Sequence, residues 1–142
     1  MPKVNFYLLK EKSDEAFFLL ACRLLEKAYA RKHRVYVHCA DKKAALKLDE
    51  LLWTFKDNSF IPHNLENETL TPPPAVQIGF STEPKLYSDI LLNLSDEIPS
   101  FYSRFKRVIE IVKNEDEAKN QSRNRYKQYR VYGCELEMHQ LA

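Results

Sequence analysis

Two strand-and-helix pairs open the chain, and few architectures accept that order. Val4-Asn5-Phe6-Tyr7-Leu8-Leu9 is a short β-type run. Ser13 or Asp14 can cap a following helix that reaches about Lys32. Phe17, Leu20, Ala21, Leu24, Leu25 and Ala28 fall on one stripe of that helix, at the spacing that buries against a sheet. Residues 34–39 form a second β-branched and aromatic strand. Asp41 then stands at the N-cap of a helix from Lys42 to Trp53, which buries Ala45, Leu48 and Leu52, with Trp53 as a further candidate. Strand, helix, strand, helix predicts an α/β chain, a three-layer Rossmann-like α/β/α sandwich on a mostly parallel sheet.

The remainder extends the same domain. At 142 residues the chain fits one domain, 1–142, with a core that needs no staples. Residues 56–74 have loop chemistry and end in Thr71-Pro72-Pro73-Pro74, which suits neither helix interior nor central strand. Residues 75–80 and 89–94 read as strands, Pro99 opens a short helix through Phe105, and residues 107–112 read as the last strand. Asn114 or Asp116 starts a C-terminal helix to about Tyr132, and Gly133 ends it.

Glycine is the informative absence. The chain has only Gly79 and Gly133, so neither a G-x-G-x-x-G turn nor a Walker-type loop can be written. The first strand-to-helix turn, Lys10-Glu11-Lys12-Ser13-Asp14, carries Glu11 and Asp14, which disfavour a phosphate. His33, His38, Cys39 and His63 are metal ligands by type only, and neighbours in a strand such as His38 and Cys39 point to opposite faces. Cys22, Cys39 and Cys134 are odd in number and widely spaced, which fits a reducing compartment without disulfides. Asp49-Glu50 lies among lysines, as a solvated salt-bridging pair would. The expectation is no catalytic residue, no cofactor and no metal. No signal segment opens the chain and no apolar run approaches the ~20 residues of a membrane span, so a cytoplasmic protein is expected.

Two stretches stand out as surfaces. Between residues 119 and 130 the C-terminal helix carries Lys119, Arg123, Arg125, Lys127 and Arg130 and no acid. Arg123, Lys127 and Arg130 share one face, with Tyr126 on the same side, and Glu115, Asp116 and Glu117 are confined to the first turn. Such a helix can simply be solvated, can hold single-stranded nucleic acid on its tyrosines, or can receive an acidic peptide tail. A net charge of +2 favours the peptide over a broad nucleic-acid footprint. The second stretch joins Trp53 to Phe60-Ile61-Pro62. These residues either plug the core beneath a long loop or form the centre of an interface, which Pro62 would keep rigid.

The strings Leu48-Asp49-Glu50-Leu51-Leu52-Trp53, Ser59-Phe60-Ile61-Pro62-His63-Asn64-Leu65, Ser88-Asp89-Ile90-Leu91 and Arg123-Asn124-Arg125-Tyr126-Lys127-Gln128-Tyr129-Arg130-Val131, with the opening Asn5-Phe6-Tyr7-Leu8-Leu9, resemble the chi subunit family of bacterial DNA polymerase III. The resemblance covers nearly the whole chain. It implies a Rossmann-type domain without a nucleotide site and a non-catalytic accessory of the clamp loader in DNA replication. One face would dock the psi subunit around Trp53 and Phe60, with Ile61 and Pro62 beside them, and a helicase is a further candidate there. The other would capture the acidic C-terminal tail of single-stranded DNA-binding protein through Arg123, Tyr126 and Lys127, with Val112 on the apolar side and Arg130 on the same helix face. Lys113-Asn114 after Val112 would make that rim more basic. The resemblance implies no strong direct DNA binding and no membrane contact. The rival reading is a direct single-stranded nucleic-acid module on the same helix. A nuclease-like enzyme would need an acidic metal cluster that the sequence does not assemble.

Overall fold

Parallel pairing runs through every rung of the sheet in a computed structural model of the chain, which describes residues 1–57, 60–68 and 70–141. Ser59, quoted in one motif above, lies outside the described residues. The elements are β1 (Lys3–Leu8), α1 (Asp14–Ala30), β2 (Val35–His38), α2 (Lys42–Thr54), β3 (His63–Leu65), β4 (Val76–Gly79), β5 (Ile90–Asn93), β6 (Arg107–Val112), α3 (Asp116–Val131) and β7 (Glu135–Gln140), with a 3-10 turn at Tyr102–Arg104 before β6. The strand order is β3-β4-β2-β5-β6-β1-β7. The fold is therefore the expected α/β sandwich, and its sheet is wholly rather than mostly parallel.

Local chemistry sets the helix ends. The Ser13 hydroxyl accepts from the Ala16 N–H at 3.1 Å and the Asp41 carboxylate from the Ala44 N–H at 2.8 Å, so each helix begins at a side-chain cap. Gly133, at φ +88°, closes α3: its N–H donates to the Arg130 carbonyl and the Cys134 N–H to the Tyr129 carbonyl, each at 3.0 Å. The same double bond closes α1 with a lysine in the glycine position. Lys32 sits at φ +64°, and Lys32 and His33 donate to the Tyr29 and Ala28 carbonyls at 2.9 Å.

Alternation along the strands divides the core. Val35, Val37, Ile90, Leu92, Ile109 and Ile111 face α1 and α2, which supply Ala21, Leu25, Leu48 and Leu52. Burying a side chain such as Leu25 or Leu48 stabilises the fold by about 1.5–3 kcal/mol. Val4, Phe6, Tyr36, Leu91 and Val108 face the other way, onto α3 through Tyr129 and onto Tyr87, Phe101 and Phe105 from the loops. Gly79 leaves space for one of these rings: a Cβ there would lie 1.6 Å from the Tyr36 hydroxyl oxygen.

Four sequence expectations need correction. The span 56–74 is not all loop, because His63–Leu65 pairs with β4 as the edge strand β3. Residues 107–112 are not the last strand, because Glu135–Gln140 pairs with β1 as β7. Polar, mostly exposed and on an edge, β7 lacks the alternation that marks a half-buried strand. The segment after Pro99 holds a single 3-10 turn rather than a helix to Phe105. Trp53 is 54% exposed and does not join the buried face of α2.

Candidate functional site

The helices that leave β1 and β6 run to opposite faces of the sheet, α1 to one and α3 to the other, although the two strands are neighbours. Such a reversal opens a crevice at the carboxyl ends of the strands. Here it is a groove of about 420 Å³. Leu8, Leu9, Val112, Met138 and Leu141 supply apolar lining, and Lys10, Lys113, Lys119 and Arg123 supply four cations. No described carboxylate lines it. Asn114 closes the end: its amide donates to the Lys10 carbonyl at 2.8 Å and its N–H to the Glu11 carbonyl at 3.1 Å.

The cations are not equivalent. Lys113 pairs with the Asp14 carboxylate and lies 5.1 Å from the Phe17 ring centroid. Arg123 is held by the Asn120 side chain, to which it donates at 3.0 Å, and is exposed. Among the described residues no ion pair engages Lys10, Lys119 or Arg123. An apolar floor beneath uncommitted cations suits a ligand with carboxylates and one apolar end.

A buried network fixes α3 and so fixes Arg123. Glu110 of β6 is fully buried; it accepts from Arg125 Nε at 3.1 Å, from the Tyr129 hydroxyl at 2.6 Å and from the Asn93 amide at 2.8 Å. Burial pushes the Glu110 carboxyl above the ordinary range, and Arg125, Tyr129 and Asn93 oppose that shift. Burial, together with Glu110, pushes the Tyr129 phenol up. Arg125 also donates to the Asp96 carbonyl at 3.0 Å. It is thus a core residue, unlike the other cations of the basic run.

The structure brings part of the expected set together. Val112, 3% exposed, floors the groove and Arg123 rims it. Tyr126 is half-buried with its ring 5.6 Å from Phe6, so it props the helix against the sheet. Lys127 and Arg130 are exposed on the same helix but lie outside the groove lining, and extend its positive field along α3. Lys10 and Met138 were not legible as site residues, because the pairing of β1 with β6 brings the first, and with β7 the second, to this crevice.

At the far end of the sheet, Trp53 and Phe60 form an exposed ledge. Phe60 is 62% exposed, and the two ring centroids are 5.7 Å apart. Neither ring plugs the core. His63 backs them: its ring lies 4.6 Å from Trp53, with Nδ1 2.6 Å from the Ile61 carbonyl and Nε2 3.2 Å from the Asp49 carbonyl. Ile61 is the correction at this surface. At 1% exposure it is buried in the core and anchors the loop, so it cannot touch a partner. Pro62 is half-buried between the two.

Other candidates have ordinary explanations. His38 packs edge-on against Phe101 while Cys39 lies in the core of the opposite face. Burial pushes the Cys22 and Cys39 thiols up to about 12, which leaves them unreactive at neutral pH. Among the described residues no three His, Cys, Asp or Glu side chains gather as metal ligands would. Among the described residues no helix is long and apolar enough to cross a membrane.

The model of the family described as DNA polymerase III chi subunit, HolC, matches residues 1–137. The chain belongs to the DNA polymerase III chi subunit family. The chi-family chain is 38% identical over 141 residues to the DNA polymerase III subunit chi of Pseudomonas aeruginosa, covering 99% of this chain and 98% of that one. It is 36% identical over 133 residues to the protein of the same name from Haemophilus influenzae, covering 93% and 92%. To that of Escherichia coli it is 34% identical over 141 residues, covering 96% of each.

Proposed function

We propose that this chi-family chain is a non-catalytic accessory subunit of DNA polymerase III in replication, a tether with two separate docking surfaces. The observation that carries the first is the groove, where an apolar floor lies under Lys10, Lys119 and Arg123, which among the described residues no ion pair engages. Its occupant is the acidic C-terminal tail of single-stranded DNA-binding protein. The tail's carboxylates meet Arg123, Lys119 and Lys10, and its last apolar residue, a Phe, rests on Val112, Leu8 and Met138. Lys127 and Arg130 attract the tail from a distance without lining the groove. Each partly desolvated charged contact is worth roughly 1–3 kcal/mol. Reversing one charge, Arg123→Glu, abolishes capture in a peptide binding assay and leaves thermal unfolding unchanged. Equal affinity in both proteins rejects the assignment.

Trp53 and Phe60 are the second surface, with Pro62 holding the loop, and the psi subunit is its proposed partner. Two exposed rings in contact are what an interface centre requires. A Trp53→Ala, Phe60→Ala protein loses psi in co-purification and keeps the tail peptide; retention of psi moves that contact elsewhere, with a helicase as the other candidate for the ledge.

The rival reading of α3 as a nucleic-acid platform is the weaker one. Tyr129 is buried, Tyr126 rests on Phe6, and Tyr132 is stacked on Tyr102 at 5.2 Å, so their rings are already engaged by the protein.

A further inference from the structure

The amino ends of the strands, opposite the groove, carry a second concentration of positive charge. Arg31, Lys32, His33 and Arg34 follow one another in the turn from α1 to β2. Lys106 directly precedes β6 and Arg107 opens it. Pairing aligns them, since Val35 stands opposite Ile90 and Ile90 opposite Arg107. The backbone just before that rung is continuous too: Ile90 donates to the Arg34 carbonyl at 3.2 Å and Lys106 to the Asp89 carbonyl at 3.0 Å. With strands about 4.8 Å apart, Arg34 and Lys106 stand about 10 Å from each other.

Most of this charge is available. Arg31, Lys32, Arg34, Lys106 and Arg107 are exposed. Asp89, the acid between them, is occupied: its Oδ2 lies 3.0 Å from His33 Nδ1 and accepts from the Arg34 N–H at 3.1 Å. The Arg34 guanidinium is fixed 5.0 Å above the Tyr87 ring, with further bonds at 3.4 Å to the Pro73 and Pro74 carbonyls. Beside it is a hollow of about 490 Å³ lined by Tyr29, Ala30, Lys32, His33, Arg34 and Ala75. Tyr29 is 37% exposed and, among the described residues, no ring stacks on it.

We infer that this edge is a binding site for single-stranded nucleic acid, with a base stacked on Tyr29 and successive phosphates on Arg31, Lys32, Arg34, Lys106 and Arg107. A free aromatic ring among cations is the pattern that holds single strands without reading their sequence. An acidic peptide fits less well, because apart from the Tyr29 ring the hollow offers only Ala30 and Ala75 to anchor an apolar side chain, whereas the groove at the opposite end has Leu8, Val112 and Met138. The two sites are separated by the length of the strands, about 20 Å for the six residues of β1, so both can be filled at once. The contact is weak and salt-sensitive, since it rests on few phosphates.

The test is fluorescence anisotropy of a labelled oligothymidylate titrated with the intact protein at low and physiological salt, with circular dichroism confirming each variant's fold. The wild type binds at low salt. Exchanging Arg31, Lys32, Lys106 and Arg107 for Gln weakens binding at least tenfold and flattens the dependence of log K on log salt by about three units. Tyr29→Leu weakens binding about tenfold without changing that slope. Three results overturn the inference: no binding at low salt, full binding by the Gln variant, or a loss produced by Arg123→Glu instead. Equal binding to a duplex or to anionic lipid vesicles, insensitive to Tyr29→Leu, also overturns it by reducing the edge to a general polyanion surface.

Discussion

Arg125 of α3 donates from Nε to a carboxylate oxygen of Glu110 of β6 at 3.1 Å, deep between the helix and the sheet. The pair joins the element that presents Arg123 to the strand that ends in Val112. Arg123 on the groove's rim and Val112 on its floor are therefore held in register by the buried network of which this ion pair is part.

Breaking that pair from one side leaves a charge in the core. Arg125→Met is expected to lower unfolding stability by about 3–5 kcal/mol in denaturant titrations. The loss also depends on pH. Burial raises the folded-state pKa of Glu110 above 4.5, and removing its cation raises it further. A raised carboxyl contributes stability that is present below the unfolded pKa and lost as pH rises through the folded one. The variant's deficit against wild type is thus smallest near pH 4.5 and larger at neutral pH. A deficit that grows on acidification contradicts the buried pair.

Gly79 and Tyr36 are matched by shape. Gly79→Ala places a methyl 1.6 Å from the Tyr36 oxygen and 2.5 Å from Cζ, so the ring must leave its seat. A loss of about 3 kcal/mol or more is expected in thermal or chemical unfolding. Adding Tyr36→Phe does not restore it, because Cζ remains in the way. Full recovery in that double variant would place the conflict at the hydroxyl alone.

Lys32 occupies a left-handed position that glycine prefers. Lys32→Gly is expected to stabilise the chain by up to about 1 kcal/mol, and Lys32→Val to destabilise it by a similar amount. Calorimetric melting of the two variants gives the order directly.

Most of the fold was legible because the strongest signals are local. Ser13 and Asp41 cap as their types require, the stripe of α1 buries Phe17, Ala21, Leu25 and Ala28, and Gly133 ends α3. The strands that escaped are those whose cues lie elsewhere in space. His63–Leu65 is three residues long in a polar loop, and Glu135–Gln140 is exposed along an edge, so neither alternates. The same gap hid one wall of the groove, since Met138 and Gln140 come from β7. Arg125 and Arg123 show the other limit. Both belong to one basic run, yet one is buried on Glu110 and the other faces solvent, and only the position of Glu110 across the sheet separates them. In the Trp53 loop, composition marked an apolar segment. It did not tell Ile61, which turns inward, from Phe60, which turns out.

The most direct measurement is a calorimetric titration of the protein with a peptide of the single-stranded DNA-binding protein's acidic tail, with and without its last Phe, at two salt concentrations. The proposed groove predicts binding that requires the Phe, weakens with salt, and disappears in Arg123→Glu. Binding that is indifferent to the Phe, or none at low salt, would contradict it.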